Sequence, residues 1–261
     1  MLDGVDLRGL ESNIWKLYLF KILFGFFISI PVIVLFWKDN GLSMFQVMLL
    51  QSLFSVAVIV LEVPSGYFAD FYGRRKTLVT ASIFATLGIA AYSIGRGFMV
   101  FLAAETLWAV GVSLVSGADS AMFYDTLVEL GEEGTYKQKW GKASSLNMIS
   151  AAGAAILGGF IAEYSLRWTL FAQVPFMAAM IPVAYSLKEP GHHEELAEKE
   201  TKTIKAIMEK VWKVKKLRYL VLYGAFIYAG LQTAFWMYQP YFELTGLKIA
   251  AFGWAYASFN V

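Results

Sequence analysis

Four ionisable side chains lie inside long apolar runs of this sequence: Lys21, Glu62, Glu105 and Asp119. Within an apolar helix long enough to cross a membrane, each such residue costs about 2.5–3.5 kcal/mol on insertion scales, so it needs a partner or a polar cavity. Groups in that setting bind charged solutes or pass on protons. We therefore expect all four to face the interior of a helix bundle, on the pathway of a substrate or a proton.

The lysine is expected to have an acidic partner. At a rise of about 1.5 Å per helical residue, Lys21, Glu62 and Asp119 lie at similar depths from one end of their helices. An unpaired carboxylate there is costly, whereas an ion pair offsets much of the cost. The sequence predicts that Lys21 pairs with Asp119 or Glu62, with Asp119 favoured because its helix face continues to Glu105. The alternative is that Lys21 extends to the headgroups on its flexible stem.

One helix carries several of these polar groups. Ser116 and Asp119 follow Glu105 by 11 and 14 residues, which is close to whole helical turns, so the three share a face. They form either a polar stripe along a pathway or a set of interhelical hydrogen bonds with no further role. Glu105 is a candidate proton carrier, because an apolar site disfavours the charged form of a carboxylate. It is equally a candidate to bind a cationic or hydroxyl-rich substrate.

A second group of polar residues is concentrated in the stretch GYFADFYGRRKT, between two apolar runs. Gly66 and Gly73 allow tight backbone turns and close helix approach. Arg74 and Arg75 fit the excess of cations on the cytoplasmic side of membrane proteins. Asp70 opposes that excess and needs another explanation: an acid beside a helix end caps an N-terminus or pairs with a cation.

The helices that position these residues follow from the composition. Hydrophobic residues make up 58% and charged residues 16% of the 261 residues, whereas soluble domains average about 25% charged residues. The apolar runs are roughly 20 residues long, enough to cross about 30 Å of hydrocarbon. The sequence predicts an all-α membrane protein with helices at 15–37, 43–64, 77–95, 98–122, 143–163, 168–187 and 218–240, and a further run from Ile249 that is cut off at Val261.

The distribution of cations predicts the orientation. Seventeen lysines and arginines fall at one end of these helices and four at the other. Because cytoplasmic loops carry the excess of Lys and Arg, the N-terminus, the turn at Arg74 and the 188–217 segment are predicted to be cytoplasmic. Within 188–217, apolar residues recur at helical spacing opposite a lysine face. This pattern indicates a basic amphipathic helix, which lies either on the anionic leaflet or in solvent as part of a linker.

Six helices, a charged linker and a second set of helices resemble the major facilitator superfamily of transporters. The signature of that superfamily between its second and third helices is matched by Gly66, Ala69, Asp70, Gly73, Arg74 and Arg75. Phe71 stands where a basic residue is usual. The segments EVPS (62–65) and SGADSAMFYD (116–125) resemble one prokaryotic branch of the superfamily.

The resemblance implies a domain organisation. Residues 1–187 are expected to form a six-helix bundle of 3+3 inverted repeats, 188–217 a cytoplasmic linker, and 218–261 the start of a second bundle. The chain is therefore expected to lack most of the second half, which transport is expected to need. Substrate is expected near the midplane between the halves, which alternate in opening to the two sides.

The resemblance also implies roles for the signature residues. Asp70 and Arg74 are expected to belong to a cytoplasmic latch that stabilises the outward-facing state and releases in the inward-facing one. Glu105 stands where proton-coupled exporters of the superfamily usually have an arginine. The resemblance therefore does not imply an arginine-based proton relay in this chain.

The expected function is secondary active transport of a small solute across the cell membrane, with export of small amphipathic compounds favoured. Uptake of a sugar-like or organic solute is one alternative, and a non-transporting scaffold or sensor on the same fold is another. Aromatic-rich pore faces favour export, a dense cluster of amides and acids favours uptake, and a sealed interior with every polar group paired favours the scaffold.

Other classes of function are not indicated. The chain has no cysteine, and its two histidines, His192 and His193, offer too few ligands for a closed metal site. It contains no nucleotide-binding loop and no nucleophile–base set, so neither an enzyme nor a bound cofactor is expected. The expected partners are the lipid bilayer and a small-molecule substrate, with a proton or another ion as a candidate coupling species, and no nucleic acid.

Overall fold

A computed structural model of the chain describes residues 7–191 and 212–259, and this part of the chain is helical, without strands. The helices are α1 (Leu7–Gly25), α2 (Ile33–Asp39), α3 (Met44–Tyr72), α4 (Arg74–Ile94), α5 (Gly97–Glu129), α6 (Tyr136–Tyr164), α7 (Leu166–Tyr185), α8 (Lys215–Leu244) and α9 (Ile249–Ser258), with short 3-10 turns at Ile30–Val32 and Glu133–Thr135. The predicted amphipathic helix of the linker falls almost entirely outside the described residues.

Seven helical segments in the described residues are long and apolar enough to cross a membrane, with α1 and α2 together forming one segment. They correspond to the seven predicted spans, so the chain is an all-α, multi-pass membrane protein. Successive spans run in opposite directions, and the start of α1 therefore lies at the same end of the bundle as the turn between α3 and α4. We call this the N-terminal end and the other the opposite end.

The second span continues well past its predicted end at residue 64. α3 runs to Tyr72 with Pro64 inside it, and proline is tolerated in membrane helices because neighbouring groups satisfy the freed backbone atoms. The predicted turn at Gly66 is therefore wrong, since Gly66 is helical. α5 passes close to it, since a Cβ on Gly117 would lie 3.6 Å from the Gly66 Cα, but a Cβ on Gly66 itself would meet no atom within 4 Å. Its role in helix approach therefore stays a prediction. The turn occurs at Gly73, where φ is +91°.

The first span is interrupted, whereas a continuous helix over 15–37 was predicted. α1 ends at Gly25, and α2 begins at Ile33 after a 3-10 turn that contains Pro31. Proline has no N–H to donate within a helix, so the chain between α1 and α2 leaves backbone groups without helical partners. Non-helical backbone at membrane depth requires partners from elsewhere in the protein.

Two glutamines on other helices supply those partners. Gln173 of α7 accepts hydrogen bonds from the Ser29 backbone N–H at 3.1 Å and from the Ser29 hydroxyl at 2.9 Å. Gln239 of α8 accepts from the Val34 N–H at 2.8 Å and donates to the Ile30 carbonyl at 2.9 Å. The break in the first span is thus fixed by α7 and by α8 together.

The run AAGAAILGG at 151–159 of α6 predicts a face of small residues for close helix contact, formed by Gly153, Ala154, Leu157, Gly158 and Ala162. Small residues of α6 do let other backbones approach closely. A Cβ on Gly158 would lie 1.9 Å from the Ile28 carbonyl oxygen, and one on Gly159 would lie 2.6 Å from a backbone oxygen of α9. The predicted face is shifted, however. A Cβ on Gly153 would meet no atom within 4 Å, and Leu157 is 49% exposed.

Candidate functional site

Lys21 of α1 forms an ion pair with Asp119 of α5, as the depth argument predicts. The side chains are 16% and 7% exposed, so the pair is largely withdrawn from the surface. The ammonium also lies 4.5 Å from the centre of the Trp140 ring of α6, which adds a cation–π attraction. The alternative in which Lys21 extends to the headgroups is therefore wrong.

The backbone of α1 beside this pair is held by α6. Asn147 donates its side-chain N–H to the Lys21 carbonyl at 2.8 Å, and the Ser150 hydroxyl donates to the Ile22 carbonyl at 2.7 Å. Asn147 and Ser150 thus tie the C-terminal part of α1 to α6 and fix the position of Lys21.

Glu62 is not packed among the described helices. Its side chain is exposed and accepts a hydrogen bond from the hydroxyl of Ser116, which is also exposed, at 3.2 Å. Ser116 and Asp119 are three residues apart and so about 60° apart around α5. That offset is enough to place Asp119 against α1 while Ser116 lies at the edge next to α3. The predicted polar stripe of α5 is therefore divided at this depth. Ser116 bonds to Glu62, whereas Asp119 pairs with Lys21.

Glu105 lies on the wall of a cavity of about 190 Å³ that is lined by residues of α2, α3, α4, α5, α7 and α8. Only 5% of the residue is exposed, and its Oε1 accepts a hydrogen bond from Gln51 Nε2 of α3 at 2.8 Å. Sequence reasoning missed Gln51, although an amide inside an apolar helix is itself a signal of a polar partner. Along α5, Glu105 and Asp119 are about 21 Å apart, so they belong to different sites.

Aromatic rings dominate the wall of this cavity. Seven of its fourteen lining residues are aromatic, among them Trp37, Tyr92, Trp108 and Trp236, and Glu105 is the one charged residue among the fourteen. The rings contact one another, with centres 6.2 Å apart for Trp37 and Tyr92 and 5.7 Å apart for Trp37 and Trp236. Among the described residues, no three acidic or histidine side chains converge on a position for a metal ion.

The signature residues meet at the N-terminal end. Arg74 pairs with Asp70 across the Gly73 turn, and its Nε lies 3.6 Å from the Oδ2 of Asp125 at the end of α5. The guanidinium of Arg75 lies 5.6 Å from the centre of the Tyr185 ring of α7. Arg74 thus links α3, α4 and α5, and Asp125 is a member of this group that sequence reasoning did not identify.

Glu189, which sequence reasoning assigned only to the linker, caps the start of α4. Its Oε1 accepts from the Arg74 N–H at 2.6 Å and its Oε2 from the Arg75 N–H at 2.8 Å. A carboxylate at this position satisfies unpaired N–H groups and complements the helix dipole. A Cβ on Gly73 would lie 2.8 Å from Glu189 Oε1. Gly73 therefore serves both the turn and the close approach of this carboxylate.

At the opposite end, α2 contacts α8 through side chains as well as through Gln239. Lys38 forms an ion pair with Glu243. Trp37, the residue before Lys38, packs against Trp236, which lies seven residues before Glu243. These contacts join the first span to the helix that follows the 188–217 segment.

Comparison with known proteins identifies related sequences. The sequence model of the Major Facilitator Superfamily matches residues 17–261. The chain is 22% identical over 248 residues to the uncharacterised MFS-type transporter YxaM of Bacillus subtilis, covering 92% of this chain and 61% of that protein. It is 25% identical over 250 residues to Multidrug resistance protein 2 of Bacillus subtilis, covering 93% of this chain and 60% of that protein.

A third relative matches a shorter region. The quinolone resistance protein NorA of Staphylococcus aureus is 21% identical over 164 residues, which is 62% of this chain and 41% of NorA. The chain thus spans about 60% of the length of the two Bacillus relatives.

Proposed function

We propose that the protein containing this chain exports small amphipathic compounds by secondary active transport, since the chain belongs to the major facilitator superfamily. The observation that carries this proposal is the aromatic cavity with Glu105 on its wall. Aromatic faces bind apolar parts of a solute, and a few polar groups fix its orientation. The names of the multidrug and quinolone resistance relatives add support for export.

Uptake of a sugar-like solute fits the cavity less well. A site for a polyhydroxylated ligand needs many hydrogen-bonding groups, because each buried hydroxyl without a partner is costly. Apart from the aromatic tyrosine and indole groups, the polar lining side chains are Ser29, Gln51 and Glu105. Ser29 is already bonded to Gln173, and Gln51 to Glu105.

A sealed scaffold is also disfavoured. In a scaffold we expect every buried polar group to have a partner, as in most folded interiors. Trp37 Nε1 and the Tyr92 hydroxyl are buried and make no hydrogen bond of standard geometry among the described residues, although the Tyr92 hydroxyl lies close to the Glu105 carboxylate and to Trp37. Both residues line the cavity. Groups left available in this way favour a site that takes up a ligand.

The proposed mechanism is alternating access between the bundle at 1–187 and a second bundle that begins at 218, joined by a cytoplasmic linker at 188–217. We assign the N-terminal end of the bundle to the cytoplasmic side of the cell membrane. There, Asp70 and Arg74 act as the latch that the superfamily signature implies, with Gly66, Gly73 and Arg75 shaping it. At the opposite end, the contacts of α2 with α8 close the cavity.

The Lys21–Asp119 pair is proposed to lie on the substrate or proton pathway at the cytoplasmic side. Either member of a buried ion pair can exchange its partner for a proton or a charged solute, because a member left alone carries an uncompensated charge. Glu62 and Ser116, which bond to each other at exposed positions of α3 and α5, are proposed to border the same pathway.

The test is transport by the full-length protein in inverted membrane vesicles. We expect a fluorescent lipophilic dye to accumulate inside these vesicles when a proton gradient is applied. Replacing a cavity ring, as in Trp108→Ala, should lower this accumulation. The matched change Trp168→Ala, at a ring that is 64% exposed, should leave it unchanged.

Three outcomes contradict the proposal. Uptake of a radiolabelled hexose by right-side-out vesicles without dye transport would establish the uptake alternative. Transport of neither compound would favour the scaffold. Equal dye transport by the two tryptophan variants would show that the cavity is not on the transport pathway.

A further inference from the structure

A second cavity, of about 200 Å³, lies between α3, α4 and α5. It is separate from the cavity that contains Glu105, because the two share no lining residue. Proline and serine occupy the middle of its α3 wall, and their short side chains do not fill the space toward α4 and α5. That wall consists of four residues whose spacing places them on one face of the helix: Leu61, Pro64, Ser65 and Phe68.

The wall of this second cavity is apolar and uncharged. Six of its nine lining side chains are hydrocarbon, including the rings of Phe68 and Phe84, and the other three carry hydroxyl groups. An ion buried against such a wall would be costly, so the cavity suits an uncharged, largely apolar molecule. All nine lining residues belong to helices long and apolar enough to span the membrane. We therefore expect the molecule to reach the cavity from the bilayer.

One lining hydroxyl lacks the partner that other buried hydroxyls of these helices have. Ser82 donates to the Leu78 carbonyl and Thr126 to the Met122 carbonyl, both at 2.7 Å and each within its own helix. Ser113 of α5 is also buried, yet its Oγ forms no hydrogen bond with the described part of the chain. A buried hydroxyl without a partner is costly. A hydroxyl on the ligand would supply the missing bond, since it can both donate and accept.

The polar groups and the size of the cavity favour an organic alcohol over water alone. A buried water molecule makes about three hydrogen bonds, whereas Ser65, one of the three lining hydroxyls, already donates to the Glu62 carbonyl at 2.9 Å. An apolar cavity of about 150 Å³ binds benzene, and this cavity is larger. A six-membered ring with one short hydroxyl-bearing arm, about eight non-hydrogen atoms, fits the volume.

We infer that this second cavity binds an uncharged alcohol of about eight non-hydrogen atoms that is dissolved in the bilayer. The hydrocarbon body of the alcohol lies against Phe68 and Phe84, and its hydroxyl bonds to Ser113. Bound there, it fills the space beside Pro64 and connects α3 to α4 and α5. The site does not depend on the proposed export, because it includes neither Glu105 nor the rings around it.

The test compares two compounds of the same shape. Benzyl alcohol carries a hydroxyl where ethylbenzene carries a methyl group. Binding of 4-fluorobenzyl alcohol to the full-length protein in lipid nanodiscs is measured by the broadening of its fluorine NMR line, after subtraction of the broadening by empty nanodiscs. The two unlabelled compounds then compete at equal concentrations in the bilayer. We expect benzyl alcohol to compete roughly threefold to tenfold more strongly, the contribution of one hydrogen bond.

Variants assign the parts of the ligand to residues. Ser113→Ala should remove the preference for the alcohol, while continued competition by ethylbenzene shows that the cavity is still formed. Ser65→Leu, which fills the cavity from the α3 side, should weaken the binding of both compounds. The matched control is Ser82→Ala, which removes a buried hydroxyl that bonds within α4 and does not line the cavity. It should bind both compounds like the unmodified protein.

Three results would overturn the inference. Equal competition by the two compounds in the unmodified protein would mean that the cavity accepts any apolar group, including the chain of a lipid. A preference for the alcohol that survives Ser113→Ala would place its hydroxyl elsewhere. Broadening no greater than that by empty nanodiscs would leave the cavity to water. None of these results bears on dye export, which is proposed to use the cavity at Glu105.

Discussion

At the scale of single residues, the buried Lys21–Asp119 pair gives a direct prediction. Removing one member of a buried pair leaves an uncompensated charge, which costs about 3–5 kcal/mol. Lys21→Met should therefore lower the thermal unfolding midpoint strongly, and adding Asp119→Asn should restore part of the loss, because no isolated charge then remains. Thermal unfolding of the purified variants in detergent measures both effects.

The matched control is the exposed pair of Lys139 with Glu132. Exposed pairs contribute only about 0–1 kcal/mol, so Lys139→Met should change the midpoint little. If the Lys21→Met, Asp119→Asn double variant is less stable than Lys21→Met alone, the two charges do not compensate each other and the pair is not a structural unit.

The same residues show what a sequence reveals at this scale. The depth of a residue along a helix and the sign of its charge can both be inferred from the sequence, and together they predicted the partner of Lys21. Whether a given helix face is covered is not readable, since it depends on which helices pack there. This is why the sequence did not show that Glu62, at the same depth, bonds to Ser116 rather than to Lys21, and why Gln51 and Asp125 were not paired with their partners.

At the scale of elements, α4 shows how charges from other segments complete a helix. Glu189 binds the N–H groups at its start. At its other end, Arg167 of α7 donates to the carbonyls of Ser93 at 2.7 Å and Gly95 at 2.9 Å. An anion at the N-terminus and a cation at the C-terminus both complement the helix dipole. The sequence predicted α4 itself but not these contacts, because both partners lie about 70 or more residues away along the chain.

The junction of Glu189 with Gly73 predicts a non-additive pair of substitutions. Gly73→Ala places a Cβ 2.8 Å from Glu189 Oε1 and also strains a backbone with φ of +91°, at about 1–3 kcal/mol for the strain. Glu189→Ala removes a cap worth about 0.5–2 kcal/mol. In the double variant the clash is absent while the strain remains. The combined loss of stability should therefore be smaller than the sum of the two single losses.

Thermal unfolding of the four proteins in this cycle measures the coupling. The control is Gly97→Ala, which has φ of +76° but no atom within 4 Å of the added Cβ. Its effect should add to that of Glu189→Ala, because distant sites are independent. Additive losses for Gly73→Ala and Glu189→Ala would mean that the carboxylate does not occupy the position described.

The broken first span marks another limit of sequence reasoning at this scale. The length of the apolar run favoured one continuous helix over 15–37, although the run contains Pro31. What makes the break stable is the pair of glutamines Gln173 and Gln239 on α7 and α8. Their distance along the chain from Ser29 and Val34 hides that relationship in the sequence.

At the scale of the whole molecule, the orientation in the membrane is testable because the chain has no cysteine. Asp39, at the opposite end, and Lys137, at the N-terminal end, are both exposed. With the N-terminal end in the cytoplasm, a membrane-impermeant thiol reagent added to intact cells should label Asp39→Cys and not Lys137→Cys. Both should be labelled after the cells are permeabilised. Labelling of Lys137→Cys alone in intact cells would reverse the orientation.

The contacts between α2 and α8 identify two helices that must separate when the opposite end opens. Gln239 bonds to the backbone of the first span, and the Lys38–Glu243 pair lies beyond it at the opposite end. Along the chain, α2 precedes the 188–217 segment and α8 follows it. If the cavity opens at this end during alternating access, α2 and α8 must separate there.

A reversible cross-link tests that separation in the full-length protein. Lys38→Cys with Glu243→Cys, joined by a short bifunctional thiol reagent that forms disulfides, should stop dye transport, and a reducing agent should restore it. The control pair is Glu132→Cys with Lys139→Cys, which replaces another ion pair but joins only the end of α5 to the start of α6. Cross-linking it should leave transport unchanged, because no movement between the halves is blocked. Full transport with the first pair cross-linked would show that α2 and α8 stay together throughout the cycle, and the opening would have to occur elsewhere.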